Sequence, residues 1–565
     1  MAYVITQDCC NDASCVGECP VDCIRPTPGQ PEFATAEMLY IDPATCIDCG
    51  SCVPACPVSA IFAEEDLTTP LQRYTHINAA YFQHHPLHAD VSASLPAAPR
   101  LPLGHERLRV AIVGTGPAAC YAARALLAHP GVEVDLFEKL PTPGGLVRAG
   151  VAPDHPATKA IGDRFDTDLA TDALAYHLNI TVGEHIQPHE LLDYHHAVIY
   201  AVGAAADHEL GIPGEQLPGS HSAAEFIAWY NGHPDYTDRV FDLSGDRAVV
   251  IGNGNVALDL ARMLTTDPAG LATTDIADHA LNALSHSRIR EVIVLGRRSP
   301  AQAAYTGPEL LSLSQLPGVD VHVAPRDLQL DAAAAAELET AGPAVRLKWR
   351  LAQEYSQSIG SAGHRRIILR FLSTPLALRG PDRVQAIDYA RNTLQCRNGQ
   401  LVAVPTDRTE TIETALVLRS IGYRALPLTG LPFDPRRAVI PNDHGRVLDA
   451  GQVVPGTYVT GWIKRGPRGG IGINRLDAEE TAESLLADFT AGRLRTPPHG
   501  RRALTDLLTS RQPNLIDRTG WQAIDAAERT AGEASGRPRV KYTDRATLVA
   551  VANTCSGTTV DRSRL

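Results

Sequence analysis

The 565-residue sequence has no apolar run long enough to cross a membrane, and its N-terminus lacks the pattern of a signal peptide. We therefore expect a cytoplasmic protein that does not insert into a membrane. A chain of this length exceeds what one hydrophobic core normally serves, so we expect about three domains.

Basic residues are nearly absent from residues 1–90. This segment holds twelve Asp and Glu against only Arg25 and Arg73, a net charge of −10 out of −13 for the whole chain. Concentrated negative charge repels nucleic acid and favours a basic protein face. We therefore expect a protein partner for this segment and no nucleic acid.

Cysteine is scarce after residue 57, since nine of the twelve cysteines precede it. In a cytoplasmic chain such crowding favours metal ligation over disulfides. Residues 46–57 read Cys-x-x-Cys-x-x-Cys-x-x-x-Cys-Pro, a bacterial iron–sulfur pattern in which three thiolates bind three irons of a cubane and the fourth binds another cluster. Zinc is the alternative ligand, but a zinc site does not require this spacing twice, with a proline after each fourth cysteine.

An imperfect copy of the pattern runs from Cys9 to Pro20, with Asp12 in place of the second cysteine. The repeat predicts a two-cluster module with crossed ligation. One cluster takes Cys46, Cys49, Cys52 and Cys19, and the other takes Cys9, Cys15 and Cys56. The open corner of the other cluster is either empty, which gives [3Fe–4S], or filled by Asp12 or Cys10, which gives a [4Fe–4S] cluster, labile if Asp12 is the ligand. Cys23 has no partner in this scheme, so we interpret it as a small buried residue.

Residues 1–85 resemble a two-cluster bacterial ferredoxin, including its terminal helix near residues 74–82. Residues 86–106 are rich in proline and histidine, so we expect a semi-extended linker there. A short linker raises the effective concentration of the tethered module to roughly the millimolar range. We therefore expect docking that is frequent without being tight.

Residues 109–138 predict a strand, a glycine turn, a helix and a second strand. Gly114 permits a tight turn, Gly116 lets the backbone approach a pyrophosphate, and the small Ala119 lets the helix pack on the strand. Glu138 ends the second strand, where a carboxylate accepts ribose hydroxyls. A tight turn alone explains the glycines, but the order of elements favours a dinucleotide site.

A second cradle begins at Arg247, with Gly252-x-Gly254-x-x-Ala257 between an apolar strand and an amphipathic helix. Its next strand, residues 291–295, is followed by Arg297 and Arg298 instead of an acid. Two guanidiniums can bind a 2′-phosphate, whereas an acid would repel it. The pair could also be ordinary solvated arginines, but its position favours NADP over NAD.

Five segments together resemble the adrenodoxin-reductase-like family of ferredoxin–NADP reductases. They are GTGPAACYAA, GLVRAGVAPDHP, GNGNVALDLAR, RRSPAQAAYTGPEL and GWIKRGPRGGIGIN, and they occur in family order. The resemblance covers residues 107 to about 545. The whole chain is similar to the actinobacterial fusion of a ferredoxin to such a reductase.

The resemblance implies a multidomain α+β and α/β fold, in which a small ferredoxin domain precedes two Rossmann-like domains and the NADP domain is inserted into the FAD domain. The implied boundaries are 1–85 for the ferredoxin domain, 86–106 for the linker, 107–206 and 425–565 for the FAD domain and its C-terminal tail, and 207–424 for the NADP domain. Residues 320–415 show no chemistry that we can name.

The resemblance also implies the site residues. FAD is held by Gly114, Gly116, Ala119, Glu138, Leu146, Val182, Trp462, Gly469, Gly470 and Ile471. NADP meets Asn253, Gly254, Asn255 and Val256, with Arg297, Arg298 and Glu309 around the adenosine phosphate and Gly469 near the nicotinamide. Asp154 and His155 match family positions close to the flavin. The helix after Gly472 would turn its free N–H groups toward the negative charge of a reduced flavin. Trp462 could cover the flavin ring or only fill a core.

We expect hydride transfer from NADPH to FAD, followed by one-electron transfer to the iron–sulfur module and onward to an acceptor protein, such as a ferredoxin-dependent oxygenase or another redox enzyme. One alternative is an electron-input protein like the small subunit of glutamate synthase, which also joins cysteine clusters to two dinucleotide cradles. Another is a redox-sensing regulator that binds the cofactors without turnover.

Overall fold

The computed structural model describes residues 2–87, 107–330, 332–397 and 400–554. Most of the predicted linker therefore lies outside the described residues. Among the helices in these ranges, none is both long enough and apolar enough to span a membrane.

Residues 2–87, hereafter the ferredoxin module, contain two small antiparallel sheets, formed by β1 with β4 and by β2 with β3. The elements are β1 (Tyr3–Ile5), β2 (Ile24–Arg25), a 3-10 turn (Pro31–Thr35), β3 (Tyr40–Ile41), α1 (Cys52–Ala55), β4 (Ile61–Ala63), 3-10 turns (Glu64–Asp66, Thr69–Leu71) and α2 (Arg73–His84). The amide of buried Asn78 on α2 joins the two sheets, since it accepts from Ile41 N (2.9 Å) and donates to Ile5 O (2.8 Å).

The strand, turn, helix and strand predicted over residues 109–138 are confirmed. The elements that follow the gap are β5 (Leu108–Val113), α3 (Pro117–Leu127), β6 (Val132–Glu138), α4 (Leu146–Ala149), α5 (Pro156–Lys159), α6 (Ile161–Asp168), β7 (Leu174–Leu178), α7 (Pro188–Leu191), β8 (Ala197–Tyr200) and β9 (Ala206–Asp207). β5 is buried along most of its length because nearly every residue in it is apolar, as expected for a central parallel strand.

The next region carries the second glycine turn. Its elements are β10 (Ser220–Ser222), α8 (Ala223–Tyr230), β11 (Arg247–Ile251), α9 (Asn255–Thr265), α10 (Pro268–Leu271), α11 (Asp278–Ser285), β12 (Glu291–Leu295), a 3-10 turn (Pro300–Gln302), α12 (Gly307–Ser312), a 3-10 turn (Leu313–Gln315), β13 (Val319–Val323), a 3-10 turn (Pro325–Leu328), α13 (Ala332–Thr340), α14 (Pro343–Gln357), β14 (Arg365–Arg370), β15 (Ser373–Arg379), β16 (Ala386–Arg397), β17 (Gln400–Glu413), β18 (Leu416–Arg419) and β19 (Tyr423–Arg424). The stretch in which we recognised no chemistry contains an antiparallel meander, β15–β16–β17.

The C-terminal region supplies three more strands and five helices. They are β20 (Asn442–Asp443), β21 (Arg446–Asp449), β22 (Gln452–Val459), α15 (Trp462–Arg465), α16 (Ile473–Thr490), α17 (Arg501–Arg511), α18 (Arg518–Ala534) and α19 (Arg545–Asn553).

Two sheets organise the chain after the ferredoxin module. The first has seven strands in the order β20-β21-β22-β8-β5-β6-β7, and we call the region around it the first nucleotide domain, after the dinucleotide site expected at its glycine turn. The second has six parallel strands in the order β10-β18-β11-β12-β14-β13, and we call the region around it the second nucleotide domain for the same reason. β22 pairs in parallel with β8, so segments far apart in sequence complete the first sheet. The chain passes from the first sheet to the second through β9 and returns through β19. These two connecting segments lie next to each other, because β9 pairs with β19.

The ferredoxin module packs against both nucleotide domains. Val58 and Ala60 are buried in the same apolar core as β5, α3 and α16. The core of the module is also continuous with that of the second nucleotide domain. The expectation of loose, tethered docking is therefore wrong for this structure, because apolar side chains are buried at the contact.

The C-terminal region also holds the two nucleotide domains together. Buried Lys541 pairs with Asp275 (2.8 Å), and Lys159 pairs with the same carboxylate (2.8 Å). Burial lowers the pKa of Lys541, although Asp275 opposes that effect. Asp275 follows α10 in the second nucleotide domain, whereas Lys159 lies in the first, so one carboxylate joins three segments of the chain.

The second glycine turn gives a test of stability. Gly252 has φ of +117°, and a Cβ added there would lie 1.9 Å from Ser420 O. We expect Gly252→Ala to lower the free energy of unfolding by about 1–3 kcal/mol or more, because both the backbone conformation and the contact are unfavourable for alanine. Thermal or urea denaturation measures the effect.

Gly254→Ala is the matched control. Gly254 has φ of −91°, and no atom lies within 4 Å of an added Cβ. Equal unfolding midpoints for the two variants would contradict the role given to Gly252.

Candidate functional site

The first glycine turn leaves open space at the start of a helix. Gly114 has φ of +106°, and a Cβ there would lie 2.5 Å from Ala201 O, so the turn passes close to the backbone that follows β8. A Cβ on Gly116 would meet no atom within 4 Å, and α3 begins at the next residue. Ala119 is fully buried against the sheet. A helix start that is open and lined by glycine is what a pyrophosphate requires.

Glu138 is fixed at the end of β6. Its carboxylate accepts from Thr115 Oγ1 (2.7 Å) and from Leu140 N (3.1 Å). Burial raises the pKa of Glu138, and these two hydrogen bonds oppose the rise. The acid is therefore held beside the glycine turn, as the sequence predicts for a ribose contact.

The predicted flavin residues outside this turn lie on several loops. Trp462 begins α15, its ring lies 5.4 Å from that of Tyr423, and its Nε1 is buried without a hydrogen-bond partner. Leu146 begins α4 and is 39% exposed. Val182 packs in the same apolar cluster as Trp462, and Gly469, Gly470 and Ile471 precede α16.

These residues fit a flavin. A buried indole N–H without an acceptor needs an added polar group, and the open glycines leave room for one. A Cβ on Gly470 would also meet no atom within 4 Å.

The second glycine turn is covered by the segment before α12. Tyr305 N donates to Asn253 O, and Thr306 N donates to Asn255 Oδ1, both at 2.8 Å. A Cβ on Gly254 would meet no atom within 4 Å. Val256, in the first turn of α9, is partly buried and packs against the apolar core. Of the four residues predicted for NADP at this turn, Asn253, Gly254 and Asn255 thus form a hydrogen-bonded turn with an open helix start.

Arg297 and Arg298 lie exposed just beyond β12. Their backbones are fixed, because Asn392 Nδ2 donates to Arg297 O (2.8 Å) and Leu372 N donates to Arg298 O (3.2 Å). Within the part of the chain that the structure describes, neither guanidinium makes a hydrogen bond or an ion pair. Two such unpaired cations on a fixed backbone suit a phosphate.

Asp154 and His155 join a compact charge cluster that sequence reasoning missed. Arg262 on α9 donates from Nη2 to Asp154 Oδ1 (3.2 Å), and its side chain is 4% exposed. His155 Nε2 lies 3.5 Å from Asp259 and 3.8 Å from Glu309. The predicted place of Glu309 beside Arg297 and Arg298 finds no support, since its contacts are with His155 and Arg262.

The protonation of His155 follows from this cluster. Burial and the nearby guanidinium of Arg262 favour a neutral imidazole, whereas Asp259 and Glu309 favour the cation. The carboxylates prevail and raise the pKa of His155 to about 9. Asp259 and Arg262 lie three residues apart on α9, inside a motif that we recognised without assigning a role to either residue.

The second cysteine set surrounds one cavity in the ferredoxin module. Cys19, predicted to cross over, lines this cavity together with Cys46, Cys49 and Cys52. Cys23 also lines it, with its Sγ only 3.4 Å from Cys19 Sγ. Cys23 is buried, as predicted. It adds a fifth sulfur to the lining of this cavity, which the spacing of the cysteines in the sequence did not predict.

The first cysteine set lies toward the nucleotide domains. Leu39 N donates to Cys9 Sγ (3.4 Å), and Ala60 N donates to Cys56 Sγ (3.2 Å). Burial raises the pKa of Cys9 to about 11 and raises the pKa of Cys15 well above its usual value, and the nearby Cys56 thiolate adds to both shifts. A coordinated iron would remove these protons, because metal binding deprotonates a thiol.

The cysteine sulfurs of the described ferredoxin module do not form a preassembled single-ion site. In residues 2–87, no three cysteine sulfurs lie within 4.8 Å of one another. A tetrahedral zinc site would bring them to about 3.8 Å, given a Zn–S bond near 2.3 Å. The described cysteines therefore do not match a zinc site, and the repeated cysteine spacing remains the argument for iron–sulfur clusters.

Asp12 lies at the contact with the first nucleotide domain. Its Oδ2 accepts from Tyr121 Oη on α3 (2.5 Å), and its Oδ1 accepts from Ser14 N (3.1 Å). Cys10, the other candidate for the open corner, accepts through its backbone oxygen from Gly472 N (2.9 Å). Sequence reasoning missed Tyr121 and Gly472, because no spacing rule links them to a cysteine loop.

Comparison with known proteins supports this assembly. The 4Fe-4S binding domain family matches residues 39–62, and the NAD(P)-binding Rossmann-like domain family matches residues 112–163. The chain is 48% identical over 564 residues to a probable ferredoxin/ferredoxin–NADP reductase of Mycobacterium tuberculosis, covering 98% of this chain and 95% of the relative. The protein of the same name from Mycobacterium leprae is 46% identical over 560 residues, with 98% of both chains covered.

A solved structure matches about four fifths of the chain. It is Mycobacterium tuberculosis FprA in complex with NADPH, at 44% identity and a TM-score of 0.75, covering 79% of this chain and all of the other. The resemblance seen in the five sequence segments is thus confirmed, and the chain belongs to the family of ferredoxin/ferredoxin–NADP reductases.

Proposed function

We propose that this chain oxidises NADPH through FAD and delivers single electrons to its own iron–sulfur module, which passes them to an acceptor protein. One observation carries the proposal. The cysteine loop of the ferredoxin module touches the glycine loop assigned to the flavin, through the hydrogen bond from Gly472 N to Cys10 O. A donor site and an acceptor site therefore meet within one protein.

The proposal divides the chain by its two large sheets. Residues 107–206 and 425–565 would form the FAD domain with the C-terminal tail, and residues 207–424 the NADP domain. The pairing of β22 with β8 supports the split, and the adjacent crossings at β9 and β19 support the boundaries.

FAD supplies the step from a two-electron donor to one-electron acceptors. The residues that would hold it are those of the first glycine turn, with Glu138 at the ribose, and Leu146, Val182, Trp462 and Gly469–Ile471 around the rest. The unpaired Nε1 of Trp462 would donate to the cofactor, and the N–H groups at the start of α16 would favour negative charge beside it.

The NADP site would use the second glycine turn for the pyrophosphate and Arg297 with Arg298 for the 2′-phosphate. We place Glu309 with Asp154 and His155 instead, in the charge cluster around Arg262. This cluster carries compensating charges at the junction of the domains and would hold a proton on His155 at neutral pH, in view of its raised pKa.

The ferredoxin module would carry two clusters. Cys19, Cys46, Cys49 and Cys52 supply the four thiolates of a [4Fe–4S] cluster, and Cys9, Cys15 and Cys56 supply three thiolates for a [3Fe–4S] or a labile [4Fe–4S] cluster. The surface at Cys49, with exposed Ile47 and Val53, would receive the acceptor. Residues 26–72 contain no Lys or Arg, so an acceptor with a basic face is favoured.

The test of this function uses two acceptors with the intact protein. We expect NADPH-dependent reduction of both ferricyanide and cytochrome c. Replacing Cys46 and Cys49 by alanine should remove most of the cytochrome c activity and leave the ferricyanide activity, because both nucleotide cradles lie outside the module.

Two results would contradict the proposal. Bound FAD and clusters without NADPH-dependent turnover would indicate a redox-sensing protein. A large amidotransferase subunit that co-purifies with the chain would indicate an electron-input protein like the glutamate-synthase small subunit.

The nucleotide preference has a separate test. We expect Arg297→Ala with Arg298→Ala to weaken NADPH binding far more than NADH binding. Each charge-assisted contact is worth roughly 1.5–3 kcal/mol, so each loss reduces affinity about 10- to 150-fold. The measurement is KM for both nucleotides in the ferricyanide assay.

Arg288→Ala is the control, since Arg288 is exposed in the same domain just before β12. If the double variant weakened NADPH and NADH equally, the arginines would not read the 2′-phosphate.

A further inference from the structure

Asp12 and Cys49 occupy equivalent positions in the two copies of the cysteine pattern, but their surroundings differ. Cys49 is exposed at the surface of the ferredoxin module. Asp12 is 5% exposed and faces the first nucleotide domain. The same corner of the repeat therefore points to solvent in one copy and to the reductase in the other.

Asp12 contacts two elements that start at the proposed flavin loops. Tyr121 lies on α3, which begins at the first glycine turn, and it donates to Asp12 Oδ2 (2.5 Å). Arg475 lies on α16, which begins after the glycine loop, and it donates from Nη1 to Asp12 O (3.0 Å) with the same nitrogen 3.8 Å from Oδ1. One residue thus joins the cysteine loop to both sides of the cofactor site.

The neighbouring backbone fits this contact closely. Gly472 N donates to Cys10 O (2.9 Å), and a Cβ on Gly472 would lie 2.1 Å from the Asn11 backbone. Any side chain at position 472 would therefore displace the cysteine loop. The close approach of the two backbones depends on the absence of a side chain at Gly472.

The ferredoxin module has a second anchor on the other nucleotide domain. Glu37 accepts from Gly307 N (2.6 Å) and pairs with Lys348 (3.2 Å), and Arg73 pairs with Glu354 through two contacts of 3.1 Å. With anchors on both sides, the module has a fixed orientation rather than a rotating one.

We propose that Asp12 is a positioning residue, which fastens the first cysteine set against the flavin loops through Tyr121 and Arg475. The first set then lies on the side where electrons enter, and the second set, with exposed Cys49, lies on the side where they leave. The direction of electron flow in this inference rests on the proposed function. The positioning role of Asp12 rests only on its contacts with Tyr121 and Arg475.

The test measures docking directly, by hydrogen–deuterium exchange in the intact holoprotein. The Gly472 amide reports on the contact, because its acceptor is Cys10 O across the interface. Asp12→Asn removes the charge, and Tyr121→Phe removes only the donor hydroxyl. We expect each variant to raise exchange at Gly472 by about 10- to 150-fold, the equivalent of one hydrogen bond to a charged group.

Glu65→Gln is the matched control, an exposed acid in the same module for which no contact with the nucleotide domains is seen among the described residues. Electron paramagnetic resonance provides the second readout. Tyr121→Phe and Asp12→Asn should keep the wild-type signal of the first cluster. Asp12→Cys restores the full cysteine spacing, so the first cluster should show no oxidised [3Fe–4S] signal and should give a [4Fe–4S] signal after reduction with dithionite. Exchange at Gly472 should rise in this variant.

Two outcomes would overturn the proposal. The first is wild-type exchange at Gly472 in both Asp12→Asn and Tyr121→Phe. The second is a changed cluster signal in Asp12→Asn with no effect of Tyr121→Phe, which would make Asp12 a cluster ligand. Failure of the proposed function would appear separately, as a wild-type protein that does not reduce ferricyanide with NADPH.

Discussion

The packing of a cysteine loop against the start of α16 is the contact on which the arrangement of this protein depends. Gly472 is the residue that allows it, because a side chain there would meet the Asn11 backbone. Asp12 adds a buried carboxylate bonded to Tyr121, and burying a charge is tolerated only when it is paired. The module therefore has one favourable orientation, and its apolar residues Val58 and Ala60 complete the core of the domain beneath it.

A second constraint joins the two nucleotide domains. The chain crosses between them at the paired strands β9 and β19, and Asp275 binds both Lys159 and Lys541 across the junction. The charge cluster around Arg262 lies at the same junction, with His155 from the first domain facing Asp259 and Glu309 from the second. Hydride transfer requires two rings to meet in a fixed geometry, and these contacts give the domains a defined relative position.

Local sequence rules predicted the parts whose chemistry depends on spacing. The glycine turns at Gly114 and Gly252, the strand ends at Glu138 and Arg297, and the grouping of Cys19 with the second cysteine set all lie as expected. Contacts between distant segments were not predictable, because no periodicity relates Asp12 to Tyr121 or His155 to Asp259. The contacts of Glu309 with His155 and Arg262 were not predictable for the same reason. The packing of the ferredoxin module against the nucleotide domains was not predicted. The composition of a linker indicates only how far the module can move, whereas the packing depends on apolar side chains buried at the contact.

In the proposed function, NADPH reduces the protein's own clusters within one docked molecule. Anaerobic stopped-flow absorbance of the holoprotein mixed with NADPH tests it most directly. We expect the flavin to be reduced first and the clusters second, with a rate of cluster reduction that does not change with protein concentration, because the electron never leaves the molecule. A rate that rises in proportion to protein concentration would show that one molecule reduces another, contrary to electron transfer within one docked molecule.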